Sequence, residues 1–310
     1  MNRTRLDCCL PPVACALAWL LAVMAGSGAA ASEPASAADD AATVRPLIGE
    51  TTALVVKVDA TRLALPQLSD KLKSALPGIE EAYRRWTAGA AAGIEALQSA
   101  TAGQPVYATI GIPRSKTDPA AFVFIRETKA VNQKLVVERL GKKFQGMNVC
   151  TRGGLVIATP DAKADLAATL GAIVPSAREG LEDAFQAAVG WPVQVLVLPP
   201  DYVRRTVVEL MPELPRQLGG GSSDVLTEGL VWAAAGLDPA RLRVELIVQS
   251  ASEEAAARLA AHLPKMLGGM YESAPEAQKQ VARKTFESFV SLARPKVERD
   301  RVIVRINTGE

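Results

Sequence analysis

The chain carries one stretch of sequence twice. Val106-Tyr107-Ala108-Thr109-Ile110-Gly111 returns as Val231-Trp232-Ala233-Ala234-Ala235-Gly236, and each copy is followed by the same tripeptide, Asp118-Pro119-Ala120 and then Asp238-Pro239-Ala240. A second apolar strand and an apolar-periodic helix come next in both places. Repetition over this length is the mark of one supersecondary module used two times. It constrains the architecture strongly, because both copies must bury equivalent faces, and it leaves the chemistry open.

Reading outward from the repeat divides the chain. The first unit spans 49–172 and the second 191–310, joined by a connecting helix over 173–190. Alternation in Leu54, Val56 and Val58 predicts a strand, with Asp59 as the cap of the next helix. Leu68, Leu72, Leu76, Ile79, Tyr83, Trp86, Ile94 and Leu97 step by three or four residues, the pattern of an amphipathic helix interrupted at Pro77. Gly153-Gly154 between two apolar runs predicts a hairpin. Asp161 is expected to cap a short helix after it, and Ser176 with Glu179 to form a capping box for the connecting helix.

The second unit repeats the order. Val193–Leu198 reads as a strand, Asp201 corresponds to Asp59, and Gly219-Gly220-Gly221 reads as a flexible loop. Leu242, Val244, Leu246 and Val248 alternate with Arg241, Arg243 and Glu245, the signature of a strand with one buried face. Ser250 and Glu253 read as a capping box for a helix through Leu263, and a helix carrying Phe286 and Phe289 comes after it. The fold class expected is α+β, with two tandem β-α-β-β-α-β-β repeats of the ferredoxin-like, split βαβ type. Their sheets are largely antiparallel, separate or merged into one body, with one face covered by helices and the other partly free.

The amino terminus reads as an address. Arg3 and Arg5 precede the apolar run Cys15–Ala25, and Ala29-Ala30-Ala31 supplies small residues, so 1–31 has the three regions of a secretory signal peptide. The apolar run is shorter than the roughly 20 residues that span a bilayer. The expected location is therefore periplasmic or extracellular, with no integral membrane segment after cleavage. Residues 32–48, rich in Ala, Ser, Asp and Pro, read as a flexible tether. Cleavage removes Cys8, Cys9 and Cys15, leaving Cys150 without a disulfide partner. It also leaves 33 basic against 32 acidic residues. That balance gives no long-range field for nucleic acid.

A search for catalytic patterns returns little. His262 is the single histidine; a zinc site built from several histidines is excluded, and a Ser-His-Asp triad would have to use a residue that lies in an apolar-periodic helix. No Walker-type loop, G-x-S-x-G, Ser-x-x-Lys or C-x-x-C occurs. Acid pairs such as Glu182-Asp183 and Glu253-Glu254 fall in first helical turns, where the helix dipole accounts for them. No catalytic, cofactor-binding or metal-ligating residue is assigned, and no cofactor is expected. The candidate binding residues are Tyr107 and Trp232, large aromatics in the repeated strand, and Arg243 and Arg305, which point outward with Arg241 and Arg301 on two late strands.

The signal region, Thr51-Thr52-Ala53-Leu54-Val55-Val56-Lys57-Val58-Asp59, Pro199-Pro200-Asp201 and Gly229-Leu230-Val231-Trp232-Ala233-Ala234 together resemble a group of uncharacterised exported bacterial proteins with duplicated α/β repeats. The resemblance covers most of the mature chain and implies no residue roles. The expectation is an exported, non-enzymatic interaction or scaffold module with an unknown protein partner in the envelope or outside the cell. The alternatives are a small-ligand-binding protein with its site between the repeats and an enzyme working through carboxylates alone.

Overall fold

The structure, a computed structural model, describes residues 36–63, 95, 97–113, 121–140, 147–159, 165–238, 241, 243–273, 287, 290 and 293–307. The signal region, most of the helix predicted between Leu68 and Leu97, Asp161, Leu242, and the helix of Phe286 and Phe289 lie outside the described residues.

The fold mixes helices with one antiparallel sheet of ten strands. In the first half these are β1 (Thr52–Val58), β2 (Val106–Gly111), β3 (Ala121–Arg126), β4 (Asn148–Arg152) and β5 (Leu155–Thr159). In the second they are β6 (Val193–Val197), β7 (Trp232–Asp238), β8 (Arg243–Gln249), β9 (Lys296–Glu298) and β10 (Arg301–Asn307). The order is β4-β5-β3-β2-β1-β6-β7-β8-β10-β9. Each half is a three-strand meander closed by a hairpin. The halves join where β1 pairs with β6, Leu54 opposite Val197 and Val58 opposite Val193.

This order corrects the ferredoxin-like expectation. A split βαβ unit inserts a third strand between its first two, whereas here β1 pairs directly with β2 and β2 with β3, and every pairing among the described strands is antiparallel, as expected. A meander satisfies the same helix-and-strand alternation with neighbours in sequence remaining neighbours in space. The two repeats share one sheet because joining β1 to β6 pairs the backbone groups of two strands that would otherwise be edges.

Seven α-helices are described: α1 (Ala37–Val44), α2 (Gln133–Leu140), α3 (Leu166–Ala172), α4 (Leu181–Ala187), α5 (Asp201–Leu210), α6 (Asp224–Thr227) and α7 (Glu253–Glu272). On one face, α1, α3 and α4 bury Val44, Leu170 and Phe185 against Val55, Phe124, Ile157 and Leu196. The opposite face holds two clusters. One is built on Val56, Val58, Val106 and Ile125; the other sets Ala256 and Leu259 of α7 on Ala233, Val248 and Val302. The centre of the sheet is therefore packed on both sides. Among the described residues, β8 and β10 expose Arg243, Arg301 and Arg305.

Local chemistry also departs from the sequence pattern. Part of the segment expected to be a tether, Ala37–Val44, is a helix. Ser36 caps α1, its hydroxyl accepting from the Asp39 N–H at 3.1 Å, and Ala37, Asp40, Ala41 and Val44 share the buried helical face. The cap of α4 is Gly180, in the left-handed region at φ 78°, and Ser176 instead donates its backbone N–H to the Ile48 carbonyl. Asp165 caps α3. Ser252 caps α7, which runs on through Pro264 to Glu272. Gly219, Gly220 and Gly221 all have positive φ and form a turn hydrogen-bonded to Arg216 and Pro215.

Gly236 of β7 is where backbone and ring meet most closely. A Cβ there would lie 2.3 Å from the Trp191 ring, so only glycine permits this contact. Gly236→Ala is expected to destabilise the fold by about 1–3 kcal/mol, as overpacking of a filled site does. Urea unfolding of the two proteins, compared at equal m-value, checks it.

Candidate functional site

The sheet register builds one continuous row of side chains. Cys150, Ile157, Phe124, Tyr107, Lys57, Gln194, Gly236, Glu245 and Arg305 lie opposite one another across nine strands. The row is apolar at one end, buried and polar at its centre, and charged and exposed at the other end.

At the exposed end β8 and β10 are neighbours, so the predicted outward arginines do meet. Arg305 lies opposite Glu245 and its Nε donates to Glu245 Oε1 at 2.6 Å, with Glu298 of β9 3.9 Å away. Arg301 donates to Gln249 Oε1 at 2.9 Å and lies 5.5 Å over the Trp232 ring. Arg243 lies 5.9 Å over the ring of Trp191. Both distances are within the range where the negative face of an indole attracts a cation. Among the described residues neither Arg243 nor Arg301 has a carboxylate partner. Arg241 leaves the group, because it sits in the turn after β7 and pairs with Asp238 at 3.0 Å. The assembled patch comprises Arg243, Arg301, Arg305 and Lys296 against Glu245 and Glu298.

Trp232 is the buried floor under Arg301. Tyr107 is elsewhere: it is 1% exposed at the centre of the sheet, stacked on Phe124 with centroids 5.7 Å apart. The two aromatics face the same side but do not form one site. Tyr107 instead belongs to a charged cluster that the sequence patterns do not single out. Asp40 of α1 is 1% exposed and Lys57 of β1 is 4% exposed; Lys57 Nζ meets Asp40 Oδ2 at 2.5 Å, and the Tyr107 hydroxyl donates to Asp40 Oδ1 at 2.7 Å. Arg126 of β3 bonds Thr43 Oγ1 and the Asp39 carbonyl, tying the same helix down further. Burial, then the bond to Asp40, push the Tyr107 phenol far above its ordinary value.

Two signals in the sequence point to this cluster. Lys57 interrupts an otherwise apolar strand, and Ser36-x-x-Asp39 opens a run with helical apolar spacing.

The remaining reactive side chains have structural places. His262 is buried and its Nε2 donates to the Leu218 carbonyl at 2.8 Å, holding the glycine turn. Cys150 is half-buried in β4 and desolvation raises its thiol pKa, Arg152 opposing weakly. No group of three or more His, Cys, Asp or Glu able to hold a metal occurs among the described residues. No helix among them is long and apolar enough to cross a membrane.

Against known proteins, no family model matches the sequence and no curated protein sequence matches it. Among solved structures, crystal form I of TP0453 is similar at a TM-score of 0.37 and 12% identity, covering 86% of this chain and 93% of that one. Crystal form III of TP0453 is similar at 0.35 and 12%, covering 91% and 96%. The likeness transfers no residue role to this chain.

The buried cluster yields two predictions. Asp40→Ala strands the Lys57 ammonium and is expected to cost about 3–5 kcal/mol, most of it regained when Lys57→Met is added; denaturant unfolding of the single and double variants measures both. The second concerns alkaline pH. A phenol whose folded pKa lies above its unfolded value of 10.0 takes part in a fold that is fully stabilised below that pH. The stabilisation is lost as pH rises beyond it, because the unfolded chain then releases the proton more readily. Stability should fall as pH rises above 10.0, and Tyr107→Phe should remove that part of the slope.

Proposed function

We propose that this chain is an exported, non-enzymatic interaction module that docks an acidic protein partner through the arginine face of β8, β9 and β10. The observation that carries the reading is the mounting of Arg243 and Arg301. Each guanidinium is positioned over an indole, exposed to solvent, and not neutralised by a carboxylate among the described residues. Stacking reduces the freedom an arginine loses on binding while leaving its donors available to a carboxylate. Arg305 has a different role in this reading. Its bond to Glu245 fixes the register of the face and adds little free charge.

Export to the periplasm or beyond is supported by the order of charged, apolar and small residues in 1–31. Near-neutral overall charge suits a module whose specificity is local, since the field of the patch decays within a Debye length of about 8 Å at physiological salt.

Crosslinking of the purified protein to an envelope and secreted fraction, read by mass spectrometry, tests the reading. A saturable partner is expected, and Arg243→Glu with Arg301→Glu should reduce its capture by about tenfold or more, the equivalent of roughly 1.4 kcal/mol. Equal capture by a folded double variant would overturn it.

A further inference from the structure

A second site lies between the end of the amino-terminal segment and the start of α4. It is a cleft of about 320 Å³ lined by Arg45, Arg178, Gly180, Glu182, Asp183 and Gln186. Its two arginines come from opposite sides of the first repeat, and its acids occupy the first turn of α4.

Arg178 is fixed in place. Its Nη2 donates to the carbonyls of Glu50 at 2.9 Å and Thr52 at 2.6 Å, so the guanidinium is held at the amino end of β1. Its Nε is buried and has no acceptor among the described residues. Desolvation lowers its pKa, and the charges of Asp201, Tyr202 and Glu50 oppose the shift. Gly180 forms part of the floor, at φ 78° and directly on the Trp232 indole, where any Cβ would come within 2.4 Å of the ring.

The charges of the cleft do not cancel each other. Among the described residues neither arginine forms an ion pair with Glu182 or Asp183, although all four line the same space. Exposed opposite charges within reach of each other usually close a pair, even if a weak one. Held apart across a space of this size, they match a small molecule that carries both charges itself.

We propose that this cleft binds a free amino acid or short peptide as its zwitterion, the carboxylate on Arg178 and Arg45 and the ammonium on Glu182 and Asp183. The carboxylate meets a preoriented guanidinium, and the ammonium is placed at acids that form no ion pair with the arginines among the described residues. The site is separate from the arginine face, so its occupancy does not depend on the docking of a protein partner there.

The test is calorimetric titration of the purified protein with each standard L-amino acid and with L-alanyl-L-alanine, to about 10 mM, the range of weak millimolar binding. Intrinsic tryptophan fluorescence supplies a second readout. At least one zwitterion is expected to bind saturably, while its N-acetyl and methyl-ester forms, each lacking one charge, bind at least about tenfold more weakly. Glu182→Gln with Asp183→Asn, both on exposed positions that the core does not use, should weaken binding by a similar factor. Arg178→Gln should abolish it. Silence across the whole set overturns the proposal. So does equal affinity for the N-acetyl form, which would make the site a plain anion site, and so does unchanged affinity in the acid double variant. Because that variant leaves the carbonyl bonds of Arg178 intact, the outcome stands even if Arg178→Gln does not fold.

Discussion

The ion pair between Asp40 and Lys57 is the contact on which the rest of the molecule leans. Lys57 sits opposite Tyr107 on one side and Gln194 on the other, so it occupies the seam where the halves of the sheet meet. An ammonium there has no water to solvate it. It is tolerable only when a carboxylate is delivered to it, and the carboxylate comes from α1, a helix of eight residues. Docking α1 also seals the cluster of Val55, Phe124 and Leu196 beneath it. Burial of apolar surface and neutralisation of a buried charge are therefore one event, and the amino-terminal segment is part of the core.

The same seam explains the shape of the protein. Five antiparallel pairs of residues join β1 to β6, and they fuse two copies of a meander into a sheet whose two edges, β4 and β9, lie far apart. Both edge strands are short, three residues in the case of β9, which limits pairing with other chains. Duplication makes the two faces similar but not equal. Helices α1, α3 and α4 cover the centre of one face and stop short of β8, so the second half presents arginines where the first half is packed. The polar row that begins at Lys57 thus ends in solvent at Arg305.

Much of the strand inventory was legible in the residues. Period-two alternation marked β8, and Gly153-Gly154 marked the hairpin of β4 and β5; that β8 and β10 are neighbours was not legible. The caps were less legible. Ser176 and Ser250 both satisfy a capping pattern, yet Gly180 and Ser252 serve the helices, because which residue sits at the helix start depends on the angle at which the chain enters it. The composition of 32–48 read as disorder for a similar reason. Alanine-rich sequence is neutral on its own, and its helix is stabilised by the sheet it lies on.

By itself the sequence determined the period of each element, the doubling of the unit, the near-neutral charge and the lack of familiar catalytic patterns, since all of these are properties of neighbours along the chain. Tertiary structure alone decided which strands pair, that Tyr107 and Trp232 take separate places, that Asp40 finds Lys57, and that Arg178, Glu182 and Asp183 line one cleft. The physical reason is distance along the chain. Strand order and charge pairing are set by contacts between residues far apart in sequence, where burial and desolvation outweigh local preference, and no short pattern records them.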